Sequence, residues 1–343
     1  MLFNIIFIYL LPIVFVSIIL FCVVLYLITQ PYPNTCRYAE EKFYFNPTSG
    51  EKEAFPSLND SFSVHISVIV PAYNEEERLP PMLDECLEYL ENRKKSGLTY
   101  EVIVVSDGSV DKTVEIAHSY SKKYRNLRVL KLVKNRGKGG AVRLGIQSAR
   151  GSVLLFADAD GATKFVDLDK LEKSLKDVLG VDYTEAPEQV ADQQALICGS
   201  RAHLEEQEIA KRSFFRLFLM YGFHFLVWFF CVRDIRDTQC GFKLMTRETA
   251  RTIFDVLHVE RWAFDVEMLY IAQTLKIPIT EIAVNWTEIE GSKLVPFWSW
   301  LQMGRDLGLI WLRYKIGAWK LSCSIFRTLE KQQQQQRRIN CLE

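Results

Sequence analysis

Residues 152–161, Ser-Val-Leu-Leu-Phe-Ala-Asp-Ala-Asp-Gly, decide the fold. Five apolar residues stop abruptly at two aspartates and a glycine, which predicts a buried strand over Ser152–Phe156 with polar chemistry at its carboxyl end. The same grammar recurs upstream. Val64–Val70 runs into Pro71-Ala72-Tyr73-Asn74-Glu75-Glu76, Tyr100–Val105 runs into Ser106-Asp107-Gly108-Ser109, and a further run spans Leu127–Leu132. Helical patterns lie between them: one entered through Pro80-Pro81, one after Asp111, and one from Gly140 to Ala149. Short apolar runs alternating with helices predict an α/β fold, a mostly parallel sheet with helices on both faces. In open sheets of this kind ligands sit outside the carboxyl ends of the strands, so three carboxylate-bearing strand ends should meet at one crevice.

Asp158 and Asp160 are two residues apart, a spacing that can turn both carboxylates to one side of an extended chain. Hard cations such as Mg²⁺ or Mn²⁺ take a carboxylate or two and complete their shell with substrate phosphates. Asp167-Leu168-Asp169 has the same spacing but follows no apolar run, so the pair after the strand is the metal candidate. Asp107, before a glycine that permits a tight turn, is placed to accept hydrogen bonds from a ribose or a base, or simply to organise the turn. From Lys131 to Arg150 there are six cations and no acid. Within that stretch Asn135-Arg136-Gly137-Lys138-Gly139-Gly140 precedes a helix start, where free amides favour anions, and it is a candidate phosphate cradle. Neither the GxxxxGK[ST] spacing nor GxGxxG is present.

Forty-two basic residues balance forty-two acidic ones in a 343-residue chain, so no global field favours nucleic acid as a partner. Leu2–Ile28 carries no charge and is long enough to cross a hydrocarbon core, which predicts a membrane anchor over residues 1–29. Arg37 and Lys42 beyond it weakly favour a cytosolic body. Residues 30–62, with four prolines, look like a linker; 63–290 form the α/β domain, and Asp182–Gln194 a surface loop within it. Two aromatic stretches, 214–232 and Val295–Trp319, mix Trp and Phe with Arg and Lys, which suits helices at a membrane–water interface, although a core helix fits the second as well. Interfacial helices are therefore expected over 291–327, followed by a low-complexity tail from 328 to 343 that holds Gln332–Gln336. Eight scattered cysteines show no zinc or disulfide spacing.

Taken in order, Pro-Ala-Tyr-Asn-Glu-Glu, Ser-Asp-Gly-Ser, Asn-Arg-Gly-Lys-Gly-Gly and Asp-Ala-Asp-Gly-Ala-Thr resemble the family 2 inverting glycosyltransferases of the GT-A fold. The likeness continues through Gly199-Ser200-Arg201, Asp237–Lys243 and Arg261–Glu267, and is greatest to the branch that glucosylates dolichyl phosphate in the endoplasmic reticulum. That resemblance implies glucose transfer from UDP-glucose to dolichyl phosphate, at the endoplasmic reticulum membrane, with a single span and the catalytic domain facing the cytosol. It implies that Pro71, Tyr73, Glu75, Asp107 and Lys138 hold the nucleotide sugar and that Asp158 and Asp160 hold Mg²⁺ or Mn²⁺. It further implies that Arg201, Arg212 and Arg216 meet the lipid phosphate, and that Asp160, Arg201 and Asp265 are catalytic. Lys211, Arg212 and Arg216 also stand at the start of an apolar run, the depth at which a lipid-borne phosphate would arrive. The competing expectations are a GDP-mannose-dependent enzyme acting on dolichyl or polyprenyl phosphate, and a non-catalytic, membrane-tethered protein that binds a nucleotide sugar. Self-association is compatible with the sequence but not specified by it.

Overall fold

The structure is a computed structural model that describes residues 11–33, 36–204, 222, 225–289 and 296–321. Helix α1 (Leu11–Ile28) has a mean hydropathy of 3.0 and almost no buried surface, and it is long and apolar enough to cross a membrane. At ~1.5 Å per residue its length is about 27 Å, close to the thickness of a hydrocarbon core.

The segment read as a linker is laid against the body instead. A 3₁₀ turn (Ala39–Lys42) leads into a two-stranded antiparallel hairpin, β1 (Phe43–Phe45) and β2 (Lys52–Ala54), registered Phe43↔Ala54 and Phe45↔Lys52. Tyr44 and Phe55 pack ring to ring at 5.0 Å, Leu58 is buried, and its amide donates to the Gln147 carbonyl at 3.0 Å. The buried Arg247 guanidinium donates to the carbonyls of Ser57 (3.2 Å) and Asp60 (2.9 Å). Prolines signal irregular backbone, but irregular backbone can still pack when aromatic residues accompany it.

Seven strands follow: β3 (Val64–Ala72), β4 (Tyr100–Ser106), β5 (Leu127–Lys131), β6 (Gly151–Ala157), β7 (Leu196–Ser200), β8 (Phe242–Thr246) and β9 (Ile279–Ala283). They form one sheet in the order β5-β4-β3-β6-β8-β7-β9, in which β8 runs antiparallel to both neighbours and every other pairing is parallel. Alternation decides the layers. Val68, Val70, Val102, Val104 and Leu155 face α2 (Leu79–Lys94) and α5 (Leu168–Leu179). Ile69, Ile103, Val105, Leu154 and Phe156 face α4 (Lys138–Gln147), α7 (Arg247–Phe254) and α8 (Phe264–Thr274). Helix α3 (Thr113–Lys123) lies between β4 and β5 in the chain, and the expected loop at 182–194 contains a short helix, α6 (Pro187–Ala191), that buries Val190 and Ala191.

One divergence positions the site. β3 pairs with β6 only as far as Ile69↔Phe156 but continues with β4 to Ala72↔Ser106. Beyond Phe156 the two central strands part, at the place where the order of the sheet reverses. Pro71 lies in this last part of β3, where a residue without an amide hydrogen is tolerated.

Helix α9 (Pro296–Lys315) packs on the body through Leu307 and Ile310, and the Tyr314 hydroxyl donates to Oε1 of Glu267 on α8 at 2.9 Å. Trp319, expected at the membrane interface, is buried and stacks on His258 with ring centroids 4.1 Å apart. The Lys320 amide donates to the Pro31 carbonyl at 3.1 Å, so the end of this segment meets the exit of α1. Phe225, Trp228 and Phe229, in the described part of the 214–232 run, stay exposed. Arg212, Arg216 and the glutamine run lie outside the described residues.

Leu307→Ala should lower stability by about 2–5 kcal/mol through the cavity it leaves, and Tyr314→Phe by about 1 kcal/mol through one lost hydrogen bond. Urea unfolding in detergent checks both; equal, negligible shifts would mean that α9 is not packed on this face.

Candidate active site

Asp158 and Asp160 leave β6 at the point where β3 and β6 part. The Asp158 amide donates to the Gly241 carbonyl at 3.0 Å, and the carboxylate lies flat against Gly241. A Cβ at position 241 would be 2.0 Å from Oδ2 of Asp158, so any side chain there would force the carboxylate to move. The Lys138 ammonium, at the start of α4, sits 2.7 Å from Oδ1 and 2.9 Å from Oδ2 of Asp158. Asp160 accepts the Ala162 amide at 3.0 Å. Burial, and next the nearby Asp158 charge, push the Asp160 carboxyl above its ordinary range. Two carboxylates that repel each other are what a divalent cation relieves. Among the described residues no group of three or more His, Cys, Asp or Glu donors converges. Two carboxylates at one strand end are hard oxygen donors, a donor type that fits Mg²⁺ or Mn²⁺.

Asp107 directly follows β4 and is almost fully buried. Its Oδ1 accepts the Arg136 amide at 2.7 Å and its Oδ2 the Gly137 amide at 2.8 Å, while Asn135 Nδ2 donates to its carbonyl at 3.0 Å. Gly108, at φ 68°, is required because a Cβ there would stand 2.7 Å from the Asn135 nitrogen. In the loop 135–140, the candidate phosphate cradle, the amides at 136 and 137 serve Asp107 and that of Gly140 donates to the Glu260 carbonyl at 2.9 Å, while Lys138 directs its ammonium to Asp158. Helix α4 correspondingly starts at Lys138 rather than Gly140, after Gly137 at φ 90°. Burial pushes the Asp107 carboxyl up to about 6 against the pull of the two amides.

The turn after β3 forms the rim. Tyr73 is exposed, Asn74 adopts φ 53°, and its amide donates to the Ser109 hydroxyl at 3.1 Å. The Glu75 carboxylate receives Arg78 through two bonds of 2.7 Å, while its amide donates to the Thr113 hydroxyl at 2.7 Å.

Asp265, at the start of α8, is buried and accepts from Lys243 Nζ at 2.7 Å; Lys243 also donates to the carbonyls of Cys240 (2.5 Å) and Thr238 (3.2 Å). Asp265 also acts electrostatically on Lys138, which links the two lysine–carboxylate pairs. Arg201 follows β7 and forms a bidentate pair with Asp237, at 2.7 and 2.9 Å, above the Trp286 ring at 5.4 Å. The guanidinium that the resemblance assigns to the lipid phosphate is thus held in place by a buried carboxylate. Gly241 and Lys243 had no role assigned from sequence. The legible signal for Lys243 was a lysine inside an apolar strand run, Phe242-Lys243-Leu244-Met245.

Gly241→Ala should displace the Asp158 carboxylate and reduce turnover by roughly a hundredfold, the scale of losing one preorganised electrostatic group, with the fold retained by circular dichroism. Wild-type turnover in the folded variant would remove Gly241 from the site. Asp107 holds its proton more tightly folded than unfolded, so it favours the fold at low pH and that contribution is lost as pH rises through about 6. Binding through the loop runs the other way, because only the ionised carboxylate can accept both amides. Affinity for a nucleotide sugar should weaken as pH falls below about 6, and Asp107→Asn should flatten that dependence; an unchanged acid limb in the variant would contradict the assignment.

The profile of Glycosyl transferase family 2 matches residues 67–254. A dolichyl-phosphate beta-glucosyltransferase of Drosophila melanogaster is 62% identical over 298 residues, covering 86% of this chain and 89% of that protein. The protein of the same name from Mus musculus is 60% identical over 309 residues (89% and 92%), and that from Saccharomyces cerevisiae 39% over 310 (86% and 91%). The mostly parallel sheet covered on both faces is the GT-A architecture anticipated from the motifs. With a profile match over more than half of its length and relatives this similar over most of it, the chain belongs to glycosyl transferase family 2.

Proposed function

We propose that this chain transfers glucose from UDP-glucose to dolichyl phosphate, releasing UDP and forming dolichyl β-D-glucosyl phosphate with inversion at the anomeric carbon. One observation carries the proposal: a chain 62% identical to a dolichyl-phosphate beta-glucosyltransferase has Asp158, paired with Lys138, and Asp160 at the parting of its central strands.

A bound Mg²⁺ or Mn²⁺ would stabilise the charge that develops on the departing diphosphate. Asp158 and Asp160 would hold it, and Lys138, now on Asp158, brings an ammonium to the same oxygens. Asp107 acts by shaping the loop that carries Lys138, while Pro71, Tyr73 and Glu75 line the uridine end. The acceptor is a phosphate monoester with a second pKa near ~6, so it is largely ionised at neutral pH and needs no strong base. That agrees with an Asp265 that is buried and neutralised by Lys243. Its role is to set the charge beneath the sugar rather than to take a proton. Two anions must nevertheless approach each other, and cations must offset their repulsion. Arg201, oriented by Asp237, supplies one on the β7 side; Arg212 and Arg216, outside the described residues, are assigned the same task from their place in the sequence at the start of an apolar run. Helix α1 anchors the body to the endoplasmic reticulum membrane, with the crevice on the cytosolic side.

Incubating the full-length protein in detergent with dolichyl phosphate and labelled UDP-glucose or GDP-mannose tests the donor. Labelled lipid from UDP-glucose is expected; labelled lipid from GDP-mannose alone overturns the assignment, and none from either supports a non-catalytic tether. Asp158→Asn and Asp160→Asn should each lower turnover by roughly a hundredfold or more, as expected for loss of a metal ligand's electrostatic stabilisation, and unchanged rates would remove the metal role.

A further inference from the structure

The 3₁₀ turn that follows the membrane anchor ends beside the loop that carries Lys138, and a single carboxylate joins them. Glu41 is fully buried. Its Oε1 accepts the Val133 amide at 3.0 Å; its Oε2 accepts Arg136 Nη2 at 2.9 Å and the Tyr38 amide at 3.0 Å. Arg136 is gripped further from the same segment, with Nη1 donating to the Cys36 carbonyl at 2.7 Å and the guanidinium 5.5 Å from the centre of the Tyr38 ring. The Lys134 ammonium faces that ring as well, at 5.7 Å.

We infer that Glu41 is a positioning residue for the donor, holding loop 133–137 from the membrane-proximal side so that Asp107 and Lys138 keep their geometry. A buried carboxylate is tolerated only when donors surround it, and two of the three donors here belong to the loop. The loop is thereby fixed from two sides, by Glu41 at Val133 and Arg136 and by Asp107 at Arg136 and Gly137, one residue before Lys138. Segment 36–42 is thus part of the donor site, not a tether for it. Glutamine has nearly the shape of glutamate but brings its own donor group, so at least one of the three converging N–H groups would face an NH₂.

This inference rests on the crevice being the donor site, and the test separates the two. In full-length Glu41→Gln, the KM for UDP-glucose and the Kd for UDP with Mn²⁺ should rise about five- to tenfold, on the scale of one charge-assisted hydrogen bond. The KM for dolichyl phosphate and kcat at saturating donor should stay within about twofold, because among the described residues Glu41 bonds to the donor-side loop and its own segment. Amides in a 130–138 peptide should exchange hydrogen faster while those of 100–106 do not. Glu41→Asp, which keeps the buried charge but shortens its reach, should show the same pattern more weakly and serves if Glu41→Gln does not fold. Unchanged donor constants in a folded variant, or donor and acceptor constants rising together, would overturn the inference. Faster loop exchange with unchanged donor binding would do so too, leaving the assignment of the crevice to be judged by the Asp158 and Asp160 variants alone.

Discussion

The fit of the Asp158 carboxylate against Gly241 is the contact on which the rest of the site depends. It joins the end of β6 to the approach to β8, the strand that runs against its neighbours. An antiparallel β8 brings its entering loop to the same end of the sheet where β6 leaves, so the residues before Phe242 can back the carboxylate. A parallel strand there would have placed its exit, not its entry, at that end. The backing surface is main chain, which holds the carboxylate in place without adding a side chain to the crevice.

Charge is then arranged around that contact in layers. Lys138 faces Asp158 from α4, Lys243 faces Asp265 from beneath, and the two pairs are close enough to act on one another. Buried ion pairs of this sort add little net stability, because desolvation offsets most of their attraction. Their effect is to fix where each charge stands. Asp160, beside them, has its carboxyl pushed upward by burial and by Asp158.

Both ends of the described chain return to this core. The segment after α1 clamps the loop bearing Lys138 through Glu41 and Arg136, and α9 is fastened to α8 through Tyr314 and Glu267. The Lys320 amide meets the Pro31 carbonyl, which brings the segment after α9 to the exit of α1.

The strands, the two-sided burial of the sheet and the convergence of Asp107, Asp158 and Asp160 at strand ends were legible in the sequence, because buried parallel strands are written as uninterrupted apolar runs and their functional residues come directly after them. The apolar helix α1 was legible for a similar reason, as a run of residues without charge. Partners distant in sequence were not. Nothing local to residues 30–62 reveals that Glu41 will be buried against a loop more than ninety residues away, or that Arg247 will hold the Ser57 and Asp60 carbonyls. Nor does an aromatic, cation-rich stretch say which indole faces lipid and which, like Trp319, stacks on a histidine inside the protein. Local pattern fixes an element's type and its buried face. Which charge meets which, and so whether an arginine or an aspartate is available to a substrate or already neutralised, depends on three-dimensional proximity, which only the tertiary structure supplies.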